Sequence, residues 1–109
     1  MKRGEIWTMA GGPGYAGKPR PVLIIQDDAF DVTASITVCL ITSEPIEAPI
    51  LRLKVKSTLE NGLLLNSHLM VDKITTVSRT RLGQRIGMLA DEDLLRLNRS
   101  MLVYLGLAR

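Results

Sequence analysis

Two positions in this 109-residue chain set a reactive side chain against a stiff apolar segment. Arg20 lies in Pro19-Arg20-Pro21, which runs into Val22-Leu23-Ile24-Ile25-Gln26. Thr42, followed by Ser43, ends Cys39-Leu40-Ile41. Apolar runs of this length suit one buried β-strand and fall short of a typical helix. A strand end is rigid, so it can hold a guanidinium or a hydroxyl in a fixed geometry. Arginine is permanently charged and can grip two phosphate oxygens at once, and a threonine hydroxyl can donate one more hydrogen bond. Converging on one point, the two describe a receptor for a phosphoryl group in transit.

The elements that would position this pair are mostly short strands. Glu5-Ile6-Trp7-Thr8-Met9 alternates and is β-prone. It ends at the glycine-rich stretch of residues 10–17, expected to be an exposed, mobile loop. Strands follow over residues 22–26 and 36–41, with Asp27-Asp28 and a polar connection between them. Leu51-Arg52-Leu53-Lys54-Val55-Lys56 has strict period-2 alternation, so three apolar residues face the core and Arg52, Lys54 and Lys56 form a solvated cationic row. Asn61-Gly62 is a strong hairpin signal, leading to strand segments at residues 67–71 and 74–77. An irregular piece over residues 78–82 and a strand near residues 86–89 complete the β part.

The last segment changes period. Leu94, Leu97, Met101 and Leu105 fall at helical spacing. Asp91 suits the N-cap, Glu92 and Asp93 suit the positive end of the helix, and Gly106 suits its stop. The pattern implies a single domain over residues 1–109, mainly β: a small, strongly curved SH3-like β-barrel with a C-terminal helix packed against it.

Composition narrows the function. The formal charge is +3, hydrophobic residues make up 46% and charged residues 23%, the proportions of a globular protein with a mild preference for anions. No window reads as a signal peptide or membrane span, so a cytoplasmic location is expected. The lone Cys39 reads as a small core residue. Asp27, Asp28 and Asp31 invite a metal-site reading, but turn chemistry explains them better and no histidine completes a ligand set. Gly11-Gly12-Pro13-Gly14 lacks the Lys-Ser/Thr of a P-loop. The single histidine, His68, is expected at a surface or rim position, outside the chemistry.

Taken together, Arg3-Gly4-Glu5-Ile6-Trp7, Arg20-Pro21-Val22-Leu23-Ile24-Ile25-Gln26-Asp27, Ile41-Thr42-Ser43, Ser67-His68-Leu69-Met70-Val71-Asp72-Lys73-Ile74 and Arg81-Leu82 ahead of Ile86-Gly87-Met88-Leu89 resemble the MazF/PemK toxins of bacterial toxin–antitoxin pairs. The resemblance spans nearly the whole chain. It implies a homodimeric barrel that cleaves single-stranded RNA at short motifs without a metal or other cofactor. The family's catalytic arginine and threonine fall on Arg20 and Thr42. Some members add an acidic residue in the first loop; this chain has none between Glu5 and Arg20, where Tyr15 and Lys18 stand instead.

In that reading Tyr15 stacks on an unpaired base, and Lys18, Ser43 and Lys73 make further RNA contacts. The resemblance also implies an antitoxin whose acidic, disordered tail lies along the basic segments. Two alternatives share the architecture. A CcdB-like gyrase poison would depend on a C-terminal Trp-Gly-Ile type ending, whereas this chain ends Gly106-Leu107-Ala108-Arg109. A non-catalytic nucleic-acid-binding barrel would carry the same basic segments without turnover.

Overall fold

The computed structural model describes residues 1–11 and 18–108. Six antiparallel strands form one sheet: β1 (Glu5–Met9), β2 (Arg20–Ile24), β3 (Ser35–Thr42), β4 (Arg52–Val55), β5 (Ser67–Ser78) and β6 (Leu82–Met88), with α1 (Asp91–Tyr104) at the end. Their order across the sheet is β4-β5-β3-β2-β1-β6. None of the described helices is long and apolar enough to cross a membrane.

The central strands β2 and β3 are apolar runs rather than alternating ones because both of their faces are covered. Leu23, Cys39 and Ile41 point into one core, with Ile6, Leu53, Val55, Leu69, Val71 and Leu97 of the helix. Val22, Ile24 and Val38 point into a second core, with Met9, Ile36, Val77 and Leu82. Such double coverage needs a sheet that coils strongly, and the segment after β4 bridges its two far ends. There the Glu60 carbonyl accepts the Met88 N–H at 2.8 Å.

Asn61 and Gly62 build that bridge rather than a tight two-residue turn. The Asn61 side chain accepts from the Thr58 and Leu63 N–H groups and donates to the Lys56 carbonyl. Gly62 has φ +70° and lies against β6, where a Cβ would come within 2.0 Å of the Ile86 carbonyl oxygen. Any side chain there would force the seam apart.

Other boundaries moved for local reasons. The two segments expected around residues 67–77 are one strand, β5, which follows β3 around an irregularity between Cys39 and Ile41. Asp91 is the first helical residue and Ala90 the N-cap, without a side-chain capping bond. The three acids at Asp91, Glu92 and Asp93 still favour the helix's positive end. Gly106, at φ +74°, stops α1 as expected. Its N–H bonds the Val103 carbonyl and the Leu107 N–H bonds the Leu102 carbonyl, the paired closure of a Schellman motif.

Candidate active site

The register of β2 on β3 runs Val22↔Leu40, Leu23↔Cys39, Ile24↔Val38. Projected two residues beyond its last pair, that register leads toward Arg20 and Thr42, and the two residues predicted to do chemistry line the same two cavities. Arg20 is the first residue of β2 and pairs with Met9 of β1 on its other side. The β2–β3 ladder stops at Val22↔Leu40, the last pairing before Pro21, which has no N–H to extend it. The strand ends therefore project past the ladder as a ridge.

Two cavities share the residues of this ridge. One, of about 240 Å³, is lined by Met9, Gly11, Val22, Leu40, Glu44 and Met70 together with Arg20, Pro21, Ile41 and Thr42. The other, of about 330 Å³, is lined by Thr8, Pro19, Ser43, Gly62, Leu63, Leu64, Leu65, Ser67 and Ile86 with the same four ridge residues. Arg20 and Thr42 thus border both.

Thr42 is held at the turn out of β3. Its Oγ1 accepts the Glu44 N–H at 3.2 Å, which turns the chain away and leaves the hydroxyl proton for an outside acceptor. The same turn brings Glu44 to the smaller cavity. Sequence reasoning looked for an acid in the first loop and missed this one, although Thr42-Ser43-Glu44 directly follows a strand. It missed Thr8 and the leucines of residues 63–65 as well. Their signal was present in the form of adjacent leucines beside a turn, with no strand to bury them.

Of the other expected RNA contacts, Ser43 lines the larger cavity. Lys18 and Lys73 are exposed and line neither of these two cavities. Tyr15 lies outside the described residues, as does most of the expected loop. His68 is not a rim residue: it is 8% exposed. It pairs with Thr42 on one side and Lys54 on the other. Its Nδ1 has no hydrogen-bond partner among the described residues, and His68 lines neither cavity.

The acids after β2 serve the backbone and other cations. Asp27 caps a short 3₁₀ turn through the Ala29 N–H, Asp28 accepts the Arg3 N–H at 2.7 Å, and Asp31 pairs with Arg79 and the N-terminal amine. Among the described residues no three acids, histidines or cysteines group as a metal site. Cys39 is fully buried, and burial pushes its thiol up to about 12. It is a core residue and no nucleophile.

A family profile described as PemK-like, MazF-like toxin of type II toxin–antitoxin system matches residues 2–105. The chain is also 52% identical over 108 residues to a protein of Mycolicibacterium smegmatis named probable endoribonuclease MazF, with 99% of each covered. This chain belongs to that toxin family.

Solved structures agree on the architecture. Mycobacterium tuberculosis toxin MazF-mt6 superimposes with a TM-score of 0.81 at 23% identity, over 96% of this chain and 99% of that one. An endoribonuclease in complex with its cognate antitoxin, from a Mycobacterial species, gives 0.80 at 22%, over 100% and 98%. At such identities the likeness establishes the CcdB/MazF-like fold, and the toxin's chemistry rests on its own residues.

Proposed function

We propose that this MazF-like endoribonuclease toxin cuts single-stranded RNA at short sequence motifs by internal transesterification. The ribose 2′-oxygen bonds to the adjacent phosphorus and loses its proton. The bond from phosphorus to the 5′-oxygen breaks, and that oxygen takes up a proton. The products are a 2′,3′-cyclic phosphate and a 5′-hydroxyl. Cutting messages in this way would stop translation and growth.

The observation that carries the reading is the convergence of Arg20 and Thr42 on one ridge that borders two cavities. Arg20 would hold the non-bridging oxygens as negative charge grows on them, and Thr42 would donate to one of them. A hydrogen bond from a charged group contributes roughly 1.5–3 kcal/mol, and donors aimed at a transition state often contribute on the order of 10²–10³ in rate. The two cavities give the flanking nucleotides room to splay, which a paired duplex would not allow. Lys18, Ser43 and Lys73, with Tyr15, are the further RNA contacts in this reading. Water takes up the 2′-proton and supplies one to the 5′-oxygen while Arg20 and Thr42 carry the phosphoryl charge, so the reading calls for no metal.

The family and the antitoxin-bound neighbour support two partners. One is a second copy of this chain, for which the exposed Leu95, Leu102 and Val103 of α1 offer apolar surface. The other is an antitoxin with an acidic tail for the exposed cations.

The test is to incubate the purified chain with a mixed RNA pool, with and without EDTA, and to map the ends. Short-motif cuts that survive EDTA and leave 5′-hydroxyls are expected. Ends carrying 5′-phosphate and 3′-hydroxyl would rule out attack by the 2′-oxygen.

A further inference from the structure

Internal transesterification moves two protons, and the reading above leaves both to water. The 2′-hydroxyl must lose one as its oxygen bonds to phosphorus, and the 5′-oxygen must gain one as it leaves. Arg20 cannot take the first, because a guanidinium keeps its proton in a protein. The hydroxyls of Thr8, Thr42, Ser43 and Ser67 are poor bases as well. Among the described residues that line the two cavities, Glu44 is the one whose side chain can accept a proton near neutral pH. His68 lines neither cavity, and Gly12-Pro13-Gly14-Tyr15-Ala16-Gly17 adds no acid or histidine to the chain.

Many of the other acids are engaged within the fold. Glu5, Asp31, Asp72 and Asp93 each pair with an arginine, and Asp27 and Asp28 accept backbone N–H groups. Glu44 is exposed, and among the described residues no cation pairs with it. Its backbone N–H donates to Thr42 Oγ1 at 3.2 Å, so its side chain starts close to the hydroxyl assigned to the phosphate. From there three torsions can swing a carboxylate over a nucleotide bound at that hydroxyl. A negative charge in this place weakens the hold on an RNA backbone, so a role in binding does not explain it.

We propose that Glu44 is the general base that takes the proton of the attacking 2′-hydroxyl. The inference rests on the nuclease reading above and adds a third catalytic residue to it. As the 2′-oxygen bonds to phosphorus, its proton passes to a Glu44 carboxylate oxygen, giving the neutral acid. The bond from phosphorus to the 5′-oxygen breaks, and water protonates that oxygen, leaving hydroxide. The hydroxide then takes the proton from Glu44, and the carboxylate is restored. Attacking and leaving oxygens lie on opposite sides of the phosphorus, so one carboxylate serves only the first.

The test compares the full-length chain with Glu44→Gln on a short oligonucleotide spanning the mapped cut site, with thermal melts to verify folding. The variant should lose on the order of 10² in kcat with KM unchanged or lower. The wild-type rate should level off with rising pH once the carboxylate is ionised. Glu44→Gln, left with water and hydroxide, should keep rising, so the gap narrows. A second substrate carries sulfur in place of the 5′-oxygen, and its thiolate leaves without a proton. The variant should remain slower on it too. Sulfur that brings the variant level with the wild type would make Glu44 the donor to the leaving oxygen and overturn the proposal. A folded variant that cuts at the wild-type rate, loses only in KM, or keeps the wild-type pH profile overturns it as well, and each leaves the nuclease reading standing. A wild type that cuts no RNA removes the nuclease reading itself and the base with it.

Discussion

Arg20 opens β2 and Arg52 opens β4, and each stands beside buried aliphatic residues. Their surroundings then diverge. Arg52 lies under the chain: its Nη1 donates to the Leu51 carbonyl at 2.9 Å and forms an ion pair with Asp72, a diagonal neighbour on β5. The two side chains are only 11% and 24% exposed. Arg20 is exposed, and the strand beside it presents Thr42, a neutral hydroxyl with a proton to give. An arginine beside a carboxylate is neutralised within the fold. Beside Arg20 the next strand brings a second donor, an arrangement in which one anion can accept from both. What an arginine at the start of a strand can do is therefore set by the side chains that the adjacent strand brings near it.

The largest effect should come from Arg20→Ala. Cleavage of a labelled oligonucleotide is expected to fall by on the order of 10²–10³ in a variant that still folds, which a thermal melt would verify. Arg20→Lys should fall between the two: it keeps the charge but loses the planar fork. Unchanged cleavage by Arg20→Ala would remove the residue on which the contrast turns.

Asp72→Asn should behave in the reverse way. Burial alone would raise the Asp72 carboxyl, but the hydrogen bond and charge of Arg52 outweigh it and hold the carboxyl below its ordinary value. Without that charge Arg52 stays half-buried and uncompensated, at a cost of about 1–3 kcal/mol. Urea titration should show the loss, while the cleavage rate per folded molecule should not change. A variant as stable as the wild type but slower would mean that the pair helps shape the site.

A smaller effect follows in acid. For Glu5, burial would again raise the carboxyl, yet bonds from the Lys2 N–H, Trp7 Nε1 and Arg85 hold it low. Asp31 is lowered first by its hydrogen bond from Arg79. For Glu5, Asp31 and Asp72 the folded carboxyl holds its proton less tightly than the unfolded one. Their contribution is therefore fully present above the unfolded value and is lost as pH falls through the folded one. Stability should stay flat from neutrality down to about pH 5 and drop below about pH 4. Thermal melts at stepped pH would check this, and in Asp72→Asn the drop should be shallower.

Much of the ridge was legible in the sequence because its determinants are local. Pro21 stops a ladder, and apolar runs mark the strands that Arg20 and Thr42 end. What could not be read depended on register and on packing between distant segments. Arg52, Lys54 and Lys56 look alike along the chain, but only the pairing of β4 with β5 reveals that Arg52 meets Asp72. Glu44 reaches the site through a turn whose direction the Thr42 hydroxyl sets. Asn61-Gly62 carries hairpin chemistry, yet the contact with Ile86 recruits it to close the sheet.

His68 sharpens the comparison at its smallest scale. It is the cross-strand neighbour of Thr42 on the side away from Arg20, so position alone would invite a proton-transfer role. Its near-complete burial and its absence from both cavities argue that the imidazole fills space. A buried nitrogen without a partner costs stability, so an apolar replacement that fills the same space should be tolerated or even favoured. His68→Leu is expected to keep the cleavage rate and its dependence on pH between about 5 and 8, the range where a histidine normally changes charge. Its melting temperature should match or exceed the wild type's. If the variant instead loses one limb of the pH–rate profile while staying folded, the row from Arg20 through Thr42 carries on into the imidazole, and the chemistry is wider than two strand ends.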